Sequence, residues 1–376
     1  HVEIEPKACM SLRTRMKHYG YTDYDKSVLN VDITNEKIVE QIDSVVNGRT
    51  VHLIIGGPPC QAYSTAGRAR DPNGMKNDPR NFLFESYVKI LNHFKPDFFV
   101  FENVTGILSA EVGGEKIIDK VFAALSENYK VKFQPELNIL NACNYGVPQI
   151  RRRVIILGVR KDLSYTPEEM YASIKKTNYD PEMTEEQRKG LKKYVTVEDA
   201  ISELPFLREG QGEKAIDFKS KRNNEFLQTI IPENFDKLYD HICRHHNATD
   251  VQRYTEMAKN HWTFKELLEK RPDLRHTPPR VFGNSYVVQW WDLPSKTIIA
   301  HLYKDGNQFI HPDYKQGRTL TVREAARLQS FPDDFVFEGS RTDQYKQIGN
   351  AVPPLLGLAI AKCMKEKFKE LYGEAK

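Results

Sequence analysis

Short apolar runs, each broken by a turn signal or a single polar residue, constrain this chain most. Residues 51–55 (VHLII) run directly into Gly56-Gly57-Pro58-Pro59, and residues 98–101 (FFVF) run into Glu102-Asn103. Between them, residues 82–94 place Phe84, Val88 and Leu91 at helical spacing. Residues 2–4, ending at Glu5, residues 27–33, reaching past Asp32, and residues 153–159 (RVIILGV) add further strands. Strands this continuously apolar have no wet face, and they alternate with amphipathic helices. The pattern predicts an α/β fold with a doubly wound, mostly parallel sheet covered on both sides.

From residue 162 to about 316 the texture turns polar and irregular, rich in His, Lys and Pro. Order returns at Thr321-Val322-Arg323-Glu324, which spells a helix-starting capping box. A last helix follows Pro353-Pro354, burying Leu355, Leu356, Ala359, Ile360, Cys363 and Met364, and stops near Gly373. The expected organisation is one domain from residues 1–161 and 318–376, interrupted by a smaller domain at 162–317. The 376 residues suit about two domains. The five cysteines are scattered without a C-x-x-C pair, which argues against a disulfide framework and a zinc finger. No apolar run reaches the roughly 20 residues of a membrane span, and no signal-peptide pattern is present. These features predict a soluble protein of a reducing compartment. The net charge of +4 permits a nucleic-acid partner without demanding one. The first residue is His1 rather than Met, so the natural start is expected upstream.

Four places in the sequence carry chemistry. Cys60 follows Gly57-Pro58-Pro59 just beyond a buried strand, where open α/β sheets place their ligands. Glycine there lets backbone approach a ligand, and proline fixes the loop that presents the thiol. Glu102 ends the next strand, and partial desolvation would let its carboxyl hold a proton near neutrality. With one helix between their strands, the two residues would face one crevice as a nucleophile beside an acid. In Gln149-Ile150-Arg151-Arg152-Arg153, strand alternation puts Arg151 and Arg153 on one face and Arg152 on the other. Gly349-Asn350-Ala351-Val352-Pro353-Pro354 is a tight turn feeding the last helix.

In this order and spacing, these segments closely resemble the cytosine-C5 DNA methyltransferase family. Pro58-Pro59-Cys60-Gln61 looks like its nucleophile loop, Glu102-Asn103-Val104 like its ENV motif, and Gln149-x-Arg151-x-Arg153 like its QxRxR motif. Arg318-x-Leu320-Thr321-Val322-Arg323-Glu324-Ala325-Ala326-Arg327-Leu328-Gln329, through Phe331-Pro332, resembles the motif that closes the recognition region. Gly349-Asn350 with Val352 looks like the final GNxV motif. The resemblance implies a Rossmann-like S-adenosylmethionine-dependent fold with an inserted DNA-recognition domain. It implies that Cys60 attacks C6 of a flipped cytosine, that Glu102 handles the proton at N3, and that Arg153 with Arg151 contacts the base O2 and holds the catalytic loop.

For the cofactor, the resemblance assigns Glu5 to the ribose hydroxyls of S-adenosylmethionine and Asp32 to the adenine amine. Pro6, Ile33, Pro59 and Leu83 would line the pocket, and Asn350 and Ala351 would close it; the product would be S-adenosylhomocysteine, with no metal. Ser64, Gly67 and Arg80 would lie in the loop that folds over the base, and Gln61 of the nucleophile loop is a further candidate DNA contact. Arg244-His245-His246, residues 271–280 including Arg280, and Thr297 are candidate DNA contacts in the insert, whereas Trp290-Trp291 reads better as core. The expected partners are double-stranded DNA and a cognate restriction endonuclease, with a monomer acting in a prokaryotic cytoplasm at the nucleoid. One departure stands out: the family's Phe-x-Gly-x-Gly-Gly turn, expected about twenty residues before Glu5, is absent from this sequence. An RNA cytosine methyltransferase and a catalytically silent DNA-binding subunit are the alternative readings. The RNA branch's Cys-Phe-Thr segment is not found, and the intact Cys60, Glu102, Arg151 and Arg153 set argues against silence.

Overall fold

The computed structural model describes residues 1–58, 83–275 and 285–373. These residues form two compact units: His1–Asn141 with Arg152–Lys175 and the segment from Ala359, and Ala142–Arg151 with Lys176–Leu358.

The first unit is built around two sheets. Strands β1 (Val2–Glu3) and β2 (Leu29–Asn30) pair in parallel, with helix α1 (Pro6–His18) connecting them. Helix α2 (Ile38–Val46) leads to β3 (Leu53–Gly56), and α3 (Leu83–Phe94) leads to β4 (Phe98–Val104). Helix α4 (Ile117–Ser126) precedes the short strands β5 (Tyr129–Lys130) and β6 (Ile139–Asn141) and the long β7 (Arg152–Arg160). The second sheet has five strands, in the order β3-β4-β7-β5 with β6 also paired to β7. Phe98, Phe99 and Phe101 are fully buried in it. Helix α3 buries Phe84, Tyr87, Ile90 and Leu91 at its three-to-four-residue spacing, and α4 buries Ile117, Ile118, Val121 and Leu125.

The expected mostly parallel sheet is corrected to a mixed one. Only β3 and β4 pair in parallel within it, and β7 runs antiparallel to β4, β5 and β6. Residues 153–159 of β7 are nonetheless all buried, so the continuous apolar run encoded burial on both faces and not strand direction. The second strand is also shorter than expected. A helical turn, Tyr24–Ser27, occupies its start, and the Asp32 side chain accepts from Thr34 N at 2.9 Å, turning the chain away.

Two packing details fix the sheet. Phe99 pairs with Gly158 across β4 and β7, and a Cβ at position 158 would lie 1.9 Å from the Phe99 ring. Asp97, buried at the start of β4, accepts from Arg160 at 2.9 Å and from the Tyr372 hydroxyl at 2.8 Å, and it lies 2.6 Å from His52 Nδ1.

In the second unit, α5 (Val197–Ile201), α6 (Glu225–Ile230) and α9 (Val322–Leu328) share one core through Val197, Leu227, Val322 and Ala325. Strands β8 (Gly212–Asp217) and β9 (Lys237–Ile242) form an antiparallel hairpin, while α7 (Ala248–Asn260) and α8 (Phe264–Lys270) build a smaller cluster. Helix α10 (Arg341–Asn350) follows α9, and α11 (Pro354–Tyr372) ends the described chain. Because α9 buries its apolar face with α5 and α6, residues 318–358 pack with residues 176–317, and the compact units do not divide at 161 and 317. The predicted capping box at Thr321 and Glu324 is present. Trp290 packs on the smaller cluster and stacks on His261 at 4.6 Å, and Trp291 packs on the larger core.

This unit keeps several imidazoles neutral in its interior. Burial, reinforced by Arg318, pushes His311 down to about 3. Burial with Arg244 nearby pushes His246 down to about 4, and burial lowers His241. The unfolded chain takes up these protons as pH falls through about 6.5, whereas the folded chain refuses them until much lower. Stability is therefore full above that pH and declines below it, by about 1.4 kcal/mol per pH unit for each such group. Urea midpoints at pH 7 and pH 5 should show this loss, and His246→Gln should remove about one proton's worth of the slope. An unchanged slope in that variant contradicts the assignment.

Candidate active site

Glu102 and Arg153 meet because of strand register. Glu102 lies opposite Ile155 in the β4/β7 ladder, so Arg153, two residues away, is its diagonal neighbour on the same face. Arg153 Nε lies 3.0 Å from Glu102 Oε1, with both side chains largely buried. The backbone entering the Cys60 loop presses on the other carboxylate oxygen: a Cβ at Gly57 would sit 2.8 Å from Glu102 Oε2. At Gly56 a Cβ would meet the Tyr87 ring at 2.5 Å, while the Tyr87 hydroxyl donates to Val100 O at 3.0 Å. Gly56 is set by close approach to the helix covering β3, and a side chain at Gly57 would displace the Glu102 carboxylate.

Asn103 adds a tether that no sequence pattern announces. Its Nδ2 donates to Pro58 O at 3.4 Å, while its Oδ1 accepts from Val104 N at 2.8 Å. The residue beside the acid therefore holds the carbonyl two positions before Cys60. Pro59, Cys60, Gln61, Ser64, Gly67 and Arg80 lie outside the described residues, as does Arg280.

The expected cofactor carboxylates sit at one end of the β1/β2 pair. Val2 pairs with Leu29 and Glu3 with Asn30, so the chain leaves both strands in the same direction towards Glu5 and Asp32. Glu5 is exposed at the N-cap of α1, with exposed Pro6 as the helix's first residue. Asp32 is exposed, and hydrogen bonds from the Thr34 amide and hydroxyl hold its carboxyl below the ordinary range. Ile33 and Leu83 are half-buried. Two accessible carboxylates just beyond the ends of adjacent parallel strands suit the hydroxyl and amine donors of a nucleoside.

Arg151 has a different task from the one expected. It is 2% exposed, and its guanidinium donates to Ile298 O at 2.6 Å and to Gly349 O and Ala351 O at 3.0 Å each. Gln329 Nε2 also donates to Ala351 O, at 2.8 Å, and Gln149 Nε2 donates to Gln329 Oε1. Gln149 Oε1 in turn accepts from Ile298 N at 2.8 Å. Asn350, exposed, and Ala351, half-buried, are thereby held in a fixed backbone frame. Gly349 is needed there because a Cβ would lie 2.2 Å from Ala300 N.

The proposed DNA contacts fare unevenly. Arg244 is corrected to a structural residue: it is buried, donates to Leu302 O and Lys304 O at 2.9 Å each, and lies over the Tyr345 ring. Thr297 Oγ1 donates to Ile150 O at 2.7 Å, fastening the Gln149 segment from outside. Arg271 pairs with Asp273 and Glu256. Among the described residues, no group of three or more His, Cys, Asp or Glu side chains could hold a metal ion, and no helix is long and apolar enough to cross a membrane.

Arg151→Ala leaves three carbonyls without their guanidinium and should cost about 3–5 kcal/mol in urea denaturation. Arg151→Lys should recover little of it, because a single ammonium lacks the planar fork that reaches all three. Full recovery by lysine contradicts this account.

The C-5 cytosine-specific DNA methylase family model matches residues 1–366. The type II methyltransferase M.Bpa9945I of Bacillus paralicheniformis is 37% identical over 337 residues, covering 84% of this chain and 71% of that protein. M.DdeI of Desulfomicrobium norvegicum is 32% identical over 365 residues, covering 94% and 81%. Among solved structures, a prophage-encoded methyltransferase (E. coli) superposes with a TM-score of 0.64 at 23% identity, covering 97% of this chain and 91% of that one. With the motifs in order and the family model spanning almost its full length, this chain belongs to the C-5 cytosine-specific DNA methylases, the DNA (cytosine-5)-methyltransferases.

Proposed function

We propose that this methyltransferase works through Cys60 and Glu102 on a cytosine extruded from duplex DNA, within a short defined sequence, with S-adenosylmethionine as methyl donor. The observation that carries the reading is the Glu102–Arg153 pair with the Gly57-Pro58 backbone held against it. It fixes an acid beside the segment that leads into Cys60.

Cytosine C5 is too electron-poor to take a methyl group unaided. The Cys60 thiolate adds to C6 while Glu102 delivers a proton to N3, so the ring becomes an enamine with a nucleophilic C5. The cofactor, when bound, supplies a methyl group on a sulfonium that leaves as a neutral thioether. Loss of the C5 proton and expulsion of the Cys60 thiolate restore the ring, and Glu102 takes back the N3 proton. Arg153 holds the carboxyl of Glu102 towards the base. Extruding the base costs a few kcal/mol, which contacts to the surrounding duplex must offset.

Glu5 and Asp32 would hold the nucleoside part of the cofactor, lined by Pro6, Ile33, Pro59 and Leu83. Asn350 and Ala351 would form a wall held in place by Arg151 and Gln329. We assign DNA recognition to the second unit, with Ser64, Gly67 and Arg80 in the base-covering loop and Gln61, Thr297 and Arg280 as further candidate contacts. The relatives are named as type II methyltransferases, which supports a cognate restriction endonuclease as partner and a bacterial DNA-containing compartment as the site of action.

Cys60→Ser should reduce methyl incorporation to background while retaining duplex binding. Bisulfite sequencing of DNA from cells expressing each form reads both activity and target site, and normal methylation by the serine variant ends the mechanism. Asn103→Ala, which frees Pro58 O, should lower kcat roughly 10- to 100-fold through misplacement of the loop. Its KM for DNA should stay within a few-fold, and an unchanged kcat refutes the tether.

A further inference from the structure

We infer that the turn at residues 219–222 of the second unit is a phosphate-binding pocket that takes a backbone phosphate of the DNA substrate; the inference rests on the DNA reading above. Lys219, Ser220, Lys221, Arg222, Gln228, Glu233 and Phe235 line a cavity of about 460 Å³. Three cations and one carboxylate leave it net positive.

The turn is built rather than loose. Glu203, whose side chain is 6% exposed, is fixed by the buried Arg327 at 3.0 Å. From there its carboxylate accepts from Ser220 Oγ at 2.6 Å and from Lys221 N at 3.0 Å. Ser220 Oγ accepts from Arg222 N at 3.0 Å, and Gln228 Nε2 donates to Arg222 O at 3.1 Å. These bonds hold Arg222 at φ 46°, a left-handed conformation that a long side chain rarely adopts. A rare backbone state held from several sides at a charged cavity marks a position where the side-chain direction matters.

The cations are also available. Lys192 and Lys237 nearby are paired with Glu225 and Asp217. Among the described residues, neither the Lys219 nor the Lys221 ammonium has an acidic partner, and Arg222 Nε is buried with no acceptor. Arg222 Nη2 donates to Gln228 O at 3.2 Å, and Nη1 forms a long pair with Glu233 at 3.9 Å. A tetrahedral oxyanion supplies acceptors to both lysine ammoniums together, with the Arg222 charge beside them. A duplex presents such groups at every nucleotide, and contacts of this kind position a protein without reading sequence.

The test is the salt dependence of duplex binding by the full chain. Each phosphate contact contributes about 0.9 to the slope of log K against log salt. Lys219→Ala/Lys221→Ala should lower that slope by about 0.9 and weaken binding several-fold at low salt. Lys362→Ala/Lys365→Ala removes the same charge from exposed positions on α11 and should leave the slope near that of the unchanged chain. Equal slopes for the two double variants overturn the proposal. Inorganic phosphate titration adds a second arm: phosphate binding lost in the first variant, with its DNA slope at the control value, overturns the assignment to DNA. Methyl transfer by the unchanged chain is measured separately, so failure of the catalytic reading and failure of the pocket are distinguishable.

Discussion

Strand register between β4 and β7 is the constraint on which the site depends. The ladder places Arg153 diagonally from Glu102, and the resulting pair is set by backbone hydrogen bonds rather than by a flexible loop. A side chain on a central strand keeps its direction within the tolerance of the sheet, which loop-borne groups do not. A one-residue slip of β7 would turn Arg153 to the face opposite Glu102. The loop segment is then indexed to this fixed point, by the absence of a side chain at Gly57 and by the amide of Asn103.

The sequence was most legible where burial and chemistry coincided. Apolar runs marked β3, β4 and β7, the capping box marked α9, and the polar residue ending each run marked Glu5, Asp32 and Glu102. Direction was not legible, because a strand buried on both faces reads the same parallel or antiparallel, as β7 demonstrates. The compact units were not legible either. The polar 162–316 stretch hides short helices such as α5 and α6, whose few apolar residues find partners far along the chain, in α9 among others. The role of Gln329 was equally hidden, since an amide that bonds to main-chain carbonyls leaves no pattern in the sequence.

Net charge carries little information about partners in this chain. Seven arginines are buried among the described residues: Arg151, Arg153, Arg244, Arg253, Arg318, Arg323 and Arg327. Arg318 forks onto Glu324 at 2.6 and 2.7 Å, and Arg327 bonds Asp333 at 2.7 Å. Arg323 donates to the carbonyls of Tyr239, Pro332 and Phe335. The planar fork suits a carboxylate or a set of carbonyls as well as it suits a phosphate. Basic residues in this chain therefore divide into internal braces and surface groups, and net charge does not separate the two.

Gly158 shows how a residue can be dictated by its neighbour's shape. Its φ lies outside the left-handed region, so nothing in its own backbone asks for glycine. The Phe99 ring occupies the volume where its side chain would be, and the two positions hold one aromatic group between them. A methyl group at 158 needs a smaller side chain opposite, and a smaller side chain opposite leaves a cavity unless 158 grows. The two positions therefore act as a single packing unit, with a volume shared across the ladder rather than divided between its strands.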